Sequence, residues 1–190
     1  MLPGIRDIPS CAEDGGTFEI NARKKAVYYS RTVEGLVFAD DSGLCVDALG
    51  GAPGVYSARY AGENATDEAN NKKLRDDLDR LRILGLNLGG GAITMGVAGG
   101  GIMKHSAHYV CAIALAEKGS VLAAFEGRAD GVIQEYPKGE GGFGYDPFFC
   151  APQFSRTFAE LKAADKFVVS HRGIAFRKMV DFLKKTNRLA

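Results

Sequence analysis

The chain has 190 residues, 46% of them hydrophobic, which is enough to bury one substantial core and predicts a single domain over residues 1–190. Its 24 basic and 23 acidic side chains leave a net charge of +1, so neither nucleic acid nor an anionic membrane surface is a predicted partner. The 4 cysteines are widely spaced without a Cys-x-x-Cys pair, which argues against a zinc site and a disulfide scaffold and favours the reducing cytoplasm.

The first predicted element is a helix over residues 18–30. Thr17 has the hydroxyl group of an N-cap, and Ala22 and Ala26 recur at the spacing of one helix face. Lys25 lies beside that apolar face.

A short apolar strand over residues 36–39 is predicted to end at the acidic sequence Asp40-Asp41-Ser42-Gly43. A buried strand that stops there delivers carboxylates to the rim of a sheet, where the ligands of α/β proteins commonly bind. Carboxylates at such a rim can hold a hard cation such as Mg²⁺ or activate a water molecule. The alternative is a structural strand end with an Asx-type turn, and the segment alone leaves both interpretations open.

A second helix is predicted after Thr66, with Leu74 and Leu78 on its apolar stripe. A Gly-rich excursion follows at about residues 85–103. The uncharged run 83–103 is long enough to span a bilayer, but repeated glycines interrupt it, so a surface excursion is predicted rather than membrane contact. No charged region followed by an apolar run opens the sequence, so a secretory signal is not predicted.

Two apolar runs, residues 109–117 and 121–125, flank the turn Lys118-Gly119-Ser120 and predict an antiparallel hairpin. Together with the strand before the acidic pair, they predict a mixed β-sheet within an α/β fold. Residues 157–160 have the spacing of a capping box and predict a short helix. A final helix is predicted to begin near Ser170.

The Gly-rich segment 139–144 leads into Tyr145-Asp146-Pro147 and offers backbone donors, aromatic faces and a carboxylate within one turn. Such a loop can stack on a flat base and hydrogen-bond its edge, although a Gly-Pro turn with core aromatics fits equally well. Lys166, His171 and Arg172 place cations near a helix N-terminus, where anions or carbonyl oxygens bind. They can equally be surface charges and a structural histidine.

The acidic pair, the Gly-rich loop and the cationic segment together predict a cation-binding site for a planar ligand with a cationic rim. Mg²⁺ with a nucleotide is the simplest ligand that meets these demands. The sequence has no P-loop, dinucleotide fingerprint or kinase signature, so the common phosphate-binding motifs are excluded. His105 and His108 lack the His-Glu-x-x-His context of a zinc site.

At these residues the chain closely resembles the inosine triphosphate pyrophosphatase family, also called the Ham1 or XTP/dITP diphosphatase family. The matching segments are Thr17-Phe18 with Asn21-Ala22 and Lys25-Ala26, Ala39-Asp40-Asp41-Ser42-Gly43-Leu44, Gly50-Gly51-Ala52-Pro53-Gly54, Tyr56-Ser57-Ala58-Arg59-Tyr60, residues 141–147, and Ser170-His171-Arg172-Gly173. The resemblance implies an α/β fold with an elongated mixed β-sheet and two lobes, flanked by helices around a central nucleotide cleft and commonly assembled as a homodimer.

The family resemblance also implies an activity, the Mg²⁺-dependent hydrolysis of noncanonical purine nucleoside triphosphates (ITP, dITP, XTP) to the monophosphate and pyrophosphate, which cleans the nucleotide pool. Carried over by position, Asp41 is the general base and a metal ligand, and Asp40 supports the metal site. Glu13 matches a further metal-binding position, with Glu19 as the alternative, and Lys25 faces the phosphates. The residues implied to contact the nucleotide are Ser42, Phe143, Gly144, Tyr145, Asp146, Lys166, His171 and Arg172.

Two features depart from the family pattern. Members usually begin with a β-strand and a Ser/Thr-x-Asn-x-x-Lys loop that grips the triphosphate, whereas this sequence starts at Met1, roughly where both have ended. The excursion at about 85–103 is also longer than the expected loop. Two hypotheses follow: an active nucleoside triphosphate diphosphatase, or a catalytically impaired nucleotide-binding protein without the N-terminal phosphate clamp. A Mg²⁺-dependent phosphomonoesterase, which releases orthophosphate, is a third.

Overall fold

The computed structural model describes residues 8–84, 92–94 and 103–188. Short 3₁₀ helices lie at Asp47–Leu49, Gly54–Arg59 and Phe158–Glu160. The other elements are, in chain order, α1 (Phe18–Ser30), β1 (Val37–Val46), α2 (Asp67–Ile83), β2 (Ala92–Thr94), β3 (Met103–Glu117), β4 (Ser120–Ile133), β5 (Phe149–Ala151), β6 (Arg156–Thr157), α3 (Ala163–Val169) and α4 (His171–Lys185). Helices and strands share one fold, so the predicted α/β class is confirmed.

The predicted helices are confirmed, and they begin where their caps place them. Thr17 Oγ1 and Ser170 Oγ each accept a hydrogen bond from the backbone N–H three residues later, at 3.2 and 3.1 Å. Each bond satisfies one of the first amide groups of a helix, which have no partner inside it. The predicted capping box of Thr157 and Glu160 also forms and opens the 3₁₀ helix that follows β6. Local caps therefore set the start of each element near the site.

The sheet has the strand order β1-β3-β4-β5-β6, with β2 paired to β3. Every strand pair among the described residues is antiparallel. In that part of the chain the sheet is therefore antiparallel and not mixed as predicted. The predicted hairpin is confirmed and is longer than expected at both far ends. Lys118 and Gly119 both have positive φ, 48° and 80°, which gives a two-residue turn whose twist suits the flanking strands.

Strand β1 extends well beyond the predicted end at residue 39. Its register with β3 runs from Val37 opposite Ala116 to Val46 opposite Ala107. Asp, Ser and Gly have low strand propensity, but a long partner strand overrides that local preference. The acidic pair therefore lies in the middle of a strand, and its predicted position at a strand end is wrong.

The core is divided among three clusters of buried side chains. One cluster combines residues of α2, β1, β3 and β5 with the ring of Phe158. A second packs α4 against β3, and a third packs α1 against alanines of β3 on the other face of the sheet. The two-lobed arrangement that the family resemblance implied corresponds to this division, because one end of the sheet belongs to the first cluster and the other end to the remaining two.

Most of the predicted Gly-rich excursion lies outside the described residues. Within it, the backbone of Ala92–Thr94 pairs antiparallel with the start of β3. Among the residues that the structure describes, none of the helices has both the length and the apolar character needed to cross a membrane.

Candidate functional site

An acidic cluster lies between α1 and β1, on the face of the sheet that α1 covers. Asp41 Oδ1 is 3.2 Å from Lys25 Nζ, and Glu13 Oε1 is 3.1 Å from the same nitrogen. Asn21 donates from Nδ2 to Asp41 Oδ2 at 3.1 Å and is itself held by Gly15, whose backbone N–H donates to Asn21 Oδ1 at 2.7 Å. Two carboxylates therefore converge on one ammonium group, and an amide fixes the orientation of Asp41.

The carboxylate of Asp41 is in an environment that disfavours its charge. Burial raises the pKa of Asp41 above the ordinary value of 3.8, although the Lys25 ammonium and the hydrogen bond from Asn21 act in the opposite direction. A carboxylate with a raised pKa is a stronger proton acceptor than an exposed one. Asp41 is therefore suited to act as a general base.

The oxygen atoms of Asp41 and Glu13 fit a hard cation. Magnesium is usually bound through one or two carboxylates together with substrate phosphates, so a dedicated cage of protein ligands is not needed. The described residues hold no group of three or more acidic, His or Cys side chains that could bind a metal ion by themselves. The alternative acidic residue, Glu19, pairs with Arg23 on the surface of α1 at 2.7 Å. Of the two predicted positions, the structure brings Glu13 to Asp41.

Asp40 does not join this cluster. Successive residues of a strand point to opposite faces of the sheet, and Asp41 faces α1 while Asp40 faces α4. Asp40 Oδ2 accepts a hydrogen bond from Arg172 Nε at 3.1 Å. The predicted pair of adjacent metal-site carboxylates is therefore separated by the sheet, because the acidic sequence is part of an extended strand rather than of a turn.

A cavity of ≈160 Å³ opens beside this part of β1. Its lining includes five of the predicted nucleotide contacts beyond β1, namely Phe143, Gly144 and Tyr145 of the loop and His171 and Arg172 of α4. The complete lining is Ser42, Gly43, Ser57, Ala58, Asp67, Asn70, Tyr109, Phe143, Gly144, Tyr145, His171 and Arg172. Asp146, Lys166 and Lys25 do not line it: Asp146 and Lys166 pair with each other, and Lys25 lies in the acidic cluster.

Asp146 and Lys166 form an ion pair beneath the Gly-rich loop. Asp146 is only 2% exposed. Its carboxylate accepts hydrogen bonds from the Lys166 ammonium group and from the backbone N–H of Phe143, the latter at 2.9 Å. A side chain at Gly142 would collide with this carboxylate, because its Cβ would lie 2.1 Å from Asp146 Oδ2. The glycine is therefore required for the loop to close over the buried pair.

The ring of Phe143 is exposed at the mouth of the cavity and lies between two cations. Lys166 Nζ and Arg172 Cζ are each 4.9 Å from its centroid. Such cation–π contacts orient the ring without covering all of it. An exposed aromatic face held in this way is suited to stacking on a planar ligand.

Two residues of α2 hold the loop from the other side. Asp67 Oδ2 accepts a hydrogen bond from the Gly144 backbone N–H at 2.7 Å, and Asn71 Nδ2 donates to the Gly144 carbonyl at 2.9 Å. Tyr145 donates from its hydroxyl group to the Ser57 carbonyl at 2.9 Å. The loop is thus fixed at several points before any ligand binds, which lowers the entropy lost on binding.

His171 is buried against the ring of Tyr109, with centroids 4.6 Å apart and planes 7° apart. Burial, together with the nearby charges of Arg172 and Lys166, lowers the pKa of His171 to about 3. Its Nδ1 is buried and has no hydrogen-bond partner among the described residues. A neutral imidazole with a free polar atom can bind a ligand that enters the cavity.

The lowered pKa of His171 predicts acid sensitivity. In the unfolded chain this side chain binds a proton near its ordinary pKa of 6.5, whereas in the folded protein it does so only near 3. We therefore expect the free energy of unfolding to fall as the pH drops below 6.5, because unfolding then takes up a proton at His171. His171→Asn should remove this uptake of about one proton and so make the slope of the free energy against pH shallower. Urea unfolding of both proteins between pH 7 and pH 4 measures the slopes. Equal slopes would contradict the burial of a neutral imidazole.

Several contributing residues were missed by the sequence prediction. Asn21 has a signal that could have found it, because it lies one helical turn before Lys25 and so shares a face with that residue. Asp67, Asn71 and Tyr109 had no such signal, since each acts on a residue far away in the sequence. Contacts of this kind depend on the packing of α2 and β3, which local patterns do not report.

The fold and the site define a class: an α/β protein whose antiparallel sheet carries a buried acidic cluster on one face and, close by, a cavity with an aromatic platform and a cationic rim. The sequence model of the Ham1 family matches residues 1–84 and 93–182. The chain belongs to the Ham1 family.

Relatives and solved structures agree with this assignment. A dITP/XTP pyrophosphatase of Shouchella clausii is 43% identical over 178 residues, covering 94% of this chain and 80% of that protein. One of Geobacter sulfurreducens is 44% identical over 182 residues, covering 96% and 82%. The Ham1 protein structure of Staphylococcus aureus superposes with a TM-score of 0.77 at 37% identity, over 96% of this chain and 83% of that one. That of Coxiella burnetii gives 0.79 at 36% identity, over 94% and 82%.

Proposed function

We propose that this protein is a nucleoside triphosphate diphosphatase that hydrolyses noncanonical purine nucleoside triphosphates (ITP, dITP, XTP) to the monophosphate and pyrophosphate. The observation that carries the proposal is the Asp41 carboxylate, which has a raised pKa and lies one residue before the cavity-lining Ser42. Relatives more than 40% identical to the chain are named dITP/XTP pyrophosphatases, and the chain covers at least four fifths of two of them.

The acidic cluster supplies the hydrolytic part of the reaction. Asp41 orients a water molecule toward the α-phosphorus and accepts its proton, because burial makes this carboxylate a better base than an exposed one. Asn21 keeps Asp41 in one orientation. Lys25 holds a positive charge beside the base, where it faces the phosphate groups of the substrate. The bond between the α-phosphorus and the bridging oxygen breaks, and pyrophosphate leaves.

Magnesium is the proposed cofactor, and Asp41 and Glu13 are the residues that would hold it. Their oxygen atoms converge on the same ammonium group, so they can also converge on a cation. A bound magnesium ion would neutralise charge on the phosphate groups. Asp40 is left out of this set because it faces the other side of the sheet.

The cavity supplies recognition of the base. The exposed face of Phe143 stacks on a purine, and Ser42, Tyr145 and His171 line the surrounding wall. Selectivity for a 6-oxo purine then follows from buried polar atoms that are satisfied by a carbonyl and left unpaired by a 6-amino group. The buried Nδ1 of His171 is one such atom among the described residues.

Product analysis tests the proposal. We expect the purified chain with ITP and Mg²⁺ to release IMP and pyrophosphate, ATP to be a poorer substrate, and a chelator to stop turnover. Release of orthophosphate with IDP would indicate a phosphomonoesterase instead. If the wild type released no more pyrophosphate than Asp41→Asn, the proposal would be contradicted. The hypothesis of an impaired nucleotide-binding protein would then remain, although none of the relatives named above supports it.

We also propose a cytoplasmic homodimer, as the family resemblance and the widely spaced cysteines implied. Light scattering on the purified chain measures the mass, for which we expect twice the 20.3 kDa of one chain.

A further inference from the structure

Asp40 lies where it can act on the cavity without entering it. It faces α4 from the middle of β1, opposite Ile113 of β3. Beside it a second, mostly apolar cavity of ≈190 Å³ is lined by Phe38, Cys111, Ile113, Phe167 and Phe176, with Asp40 and Arg172 as its charged members. Arg172 lines both this second cavity and the cavity at Phe143. Arg172 is therefore shared by the two spaces, and Asp40 holds its Nε from the side of the second cavity.

The geometry of the pair leaves the end of Arg172 free. Asp40 Oδ2 accepts from Nε at 3.1 Å, and the guanidinium carbon lies 4.9 Å from the Phe143 centroid. In the part of the chain that the structure describes, Nη1 and Nη2 have no hydrogen-bond partner in the protein. A guanidinium fixed at Nε and resting on an aromatic face has both terminal amino groups available to donate to oxygen atoms of a ligand.

The pair contributes little to the stability of the fold. The side chains of Arg172 and Asp40 are 45% and 40% exposed, and ion pairs this exposed are largely screened by solvent. A restraint on a long, flexible side chain has another consequence. It removes rotamer freedom before the ligand arrives, so less entropy is lost when the ligand binds.

We propose that Asp40 is a positioning residue for substrate recognition, which acts by holding Arg172 over Phe143 so that its terminal amino groups meet the oxygen atoms of the nucleotide. This role rests on the proposed diphosphatase function. It replaces the metal-supporting role that the sequence predicted for Asp40. The site thus uses the two adjacent carboxylates for different purposes, Asp41 for the reaction and Asp40 for orientation of the ligand.

Steady-state kinetics with ITP distinguish the two roles. We expect Asp40→Asn to raise KM about tenfold, to leave kcat within about twofold, and to leave the Mg²⁺ concentration for half-maximal rate unchanged. In the background of Arg172→Met, the further change Asp40→Asn should alter KM by less than about twofold, since the partner of the carboxylate is already absent. Asp40→Glu, which keeps the charge, should raise KM less than Asp40→Asn does.

A control removes another exposed Arg–Asp ion pair of the sheet. Asp130 accepts from Arg128 Nε at 2.8 Å on β4, and neither residue lines the cavity at Phe143. Asp130→Asn should therefore leave KM unchanged. A shifted Mg²⁺ requirement in Asp40→Asn would show a metal-site role and overturn the proposal. A KM effect that persists in full without Arg172, or no KM effect at all, would overturn it as well.

Binding of IMP separates this proposal from the function on which it rests. Calorimetric titration of IMP needs no turnover, so it applies even if the wild-type chain releases no pyrophosphate. We expect the Kd for IMP to rise about tenfold in Asp40→Asn and to be insensitive to Asp40→Asn once Arg172 is replaced. Failure of hydrolysis with these changes in Kd would reject the diphosphatase and keep the positioning role. A Kd unaffected by Asp40→Asn, or no binding of IMP to the wild type, would reject the positioning role.

Discussion

Replacement of Asp41 by Asn is expected to lower kcat for ITP by at least about 10³-fold. The amide keeps the size of the side chain but cannot accept the proton of the attacking water, and it is a weaker ligand for a cation than a carboxylate. The pKa of Asp41 is raised by burial, so the wild-type base titrates above the ordinary value of 3.8. We therefore also expect the acid side of the wild-type rate profile to lie above that value. Quantification of pyrophosphate as a function of pH measures both effects.

The neighbouring carboxylate Asp14 provides the control for Asp41. It lies on the surface next to Glu13 and pairs with Lys24, so Asp14→Asn changes the same charge close to the site without touching the acidic cluster. Its kcat should stay within about twofold of the wild type, because exposed ion pairs contribute little. If Asp41→Asn retained more than about a tenth of the wild-type rate, Asp41 would not be the general base.

Replacement of Gly173 by Ala is expected to destabilise the protein and to raise KM. A Cβ at this position would lie 1.7 Å from the Phe167 carbonyl oxygen, so α3 and α4 would have to separate. That movement would carry Lys166 away from Arg172 and loosen the ring of Phe143 between them. Overpacking of this kind costs about 1–3 kcal/mol. The melting temperature should fall by about 2–4 °C for each kcal/mol in a chain of this size.

The direction of the Gly173 effect is diagnostic. Alanine has a higher helix propensity than glycine by about 1 kcal/mol, so without the close contact the substitution would stabilise α4. Gly16→Ala is the control, because a Cβ there meets no atom within 4 Å and the backbone is not left-handed. Its melting temperature should equal or exceed that of the wild type. A stabilised Gly173→Ala protein would show that α4 does not approach the Phe167 carbonyl oxygen of α3 this closely.

Local features of the sequence predicted a large part of the fold. The N-caps at Thr17 and Ser170 and the turn at Lys118 involve only residues a few positions apart. Their chemistry can be read from the order of residues, because the interacting groups are adjacent in the chain. The ordered motifs likewise pointed to Ser42, Phe143, His171 and Arg172 as nucleotide contacts, and the structure places these four residues around one cavity.

The sequence did not predict which of these residues act together. Asp40 and Asp41 are adjacent, but β1 extends through them because β3 pairs along its whole length, and the alternation of a strand sends the two carboxylates to opposite faces. The low pKa of His171 arises from burial against Tyr109 and from charges at distant positions in the chain. These properties depend on contacts between elements that are remote in sequence.

The amino-acid sequence by itself thus determined helices α1, α2 and α4 and the hairpin turn, and it named most of the residues that the structure gathers around the acidic cluster and the cavity. Only the tertiary structure decided that Asp41 joins Glu13 and Lys25 while Asp40 holds Arg172. The physical reason is that the face on which a strand residue lies follows from its register with a partner strand. That register is set by packing across the whole sheet and not by the neighbours of the residue in the chain.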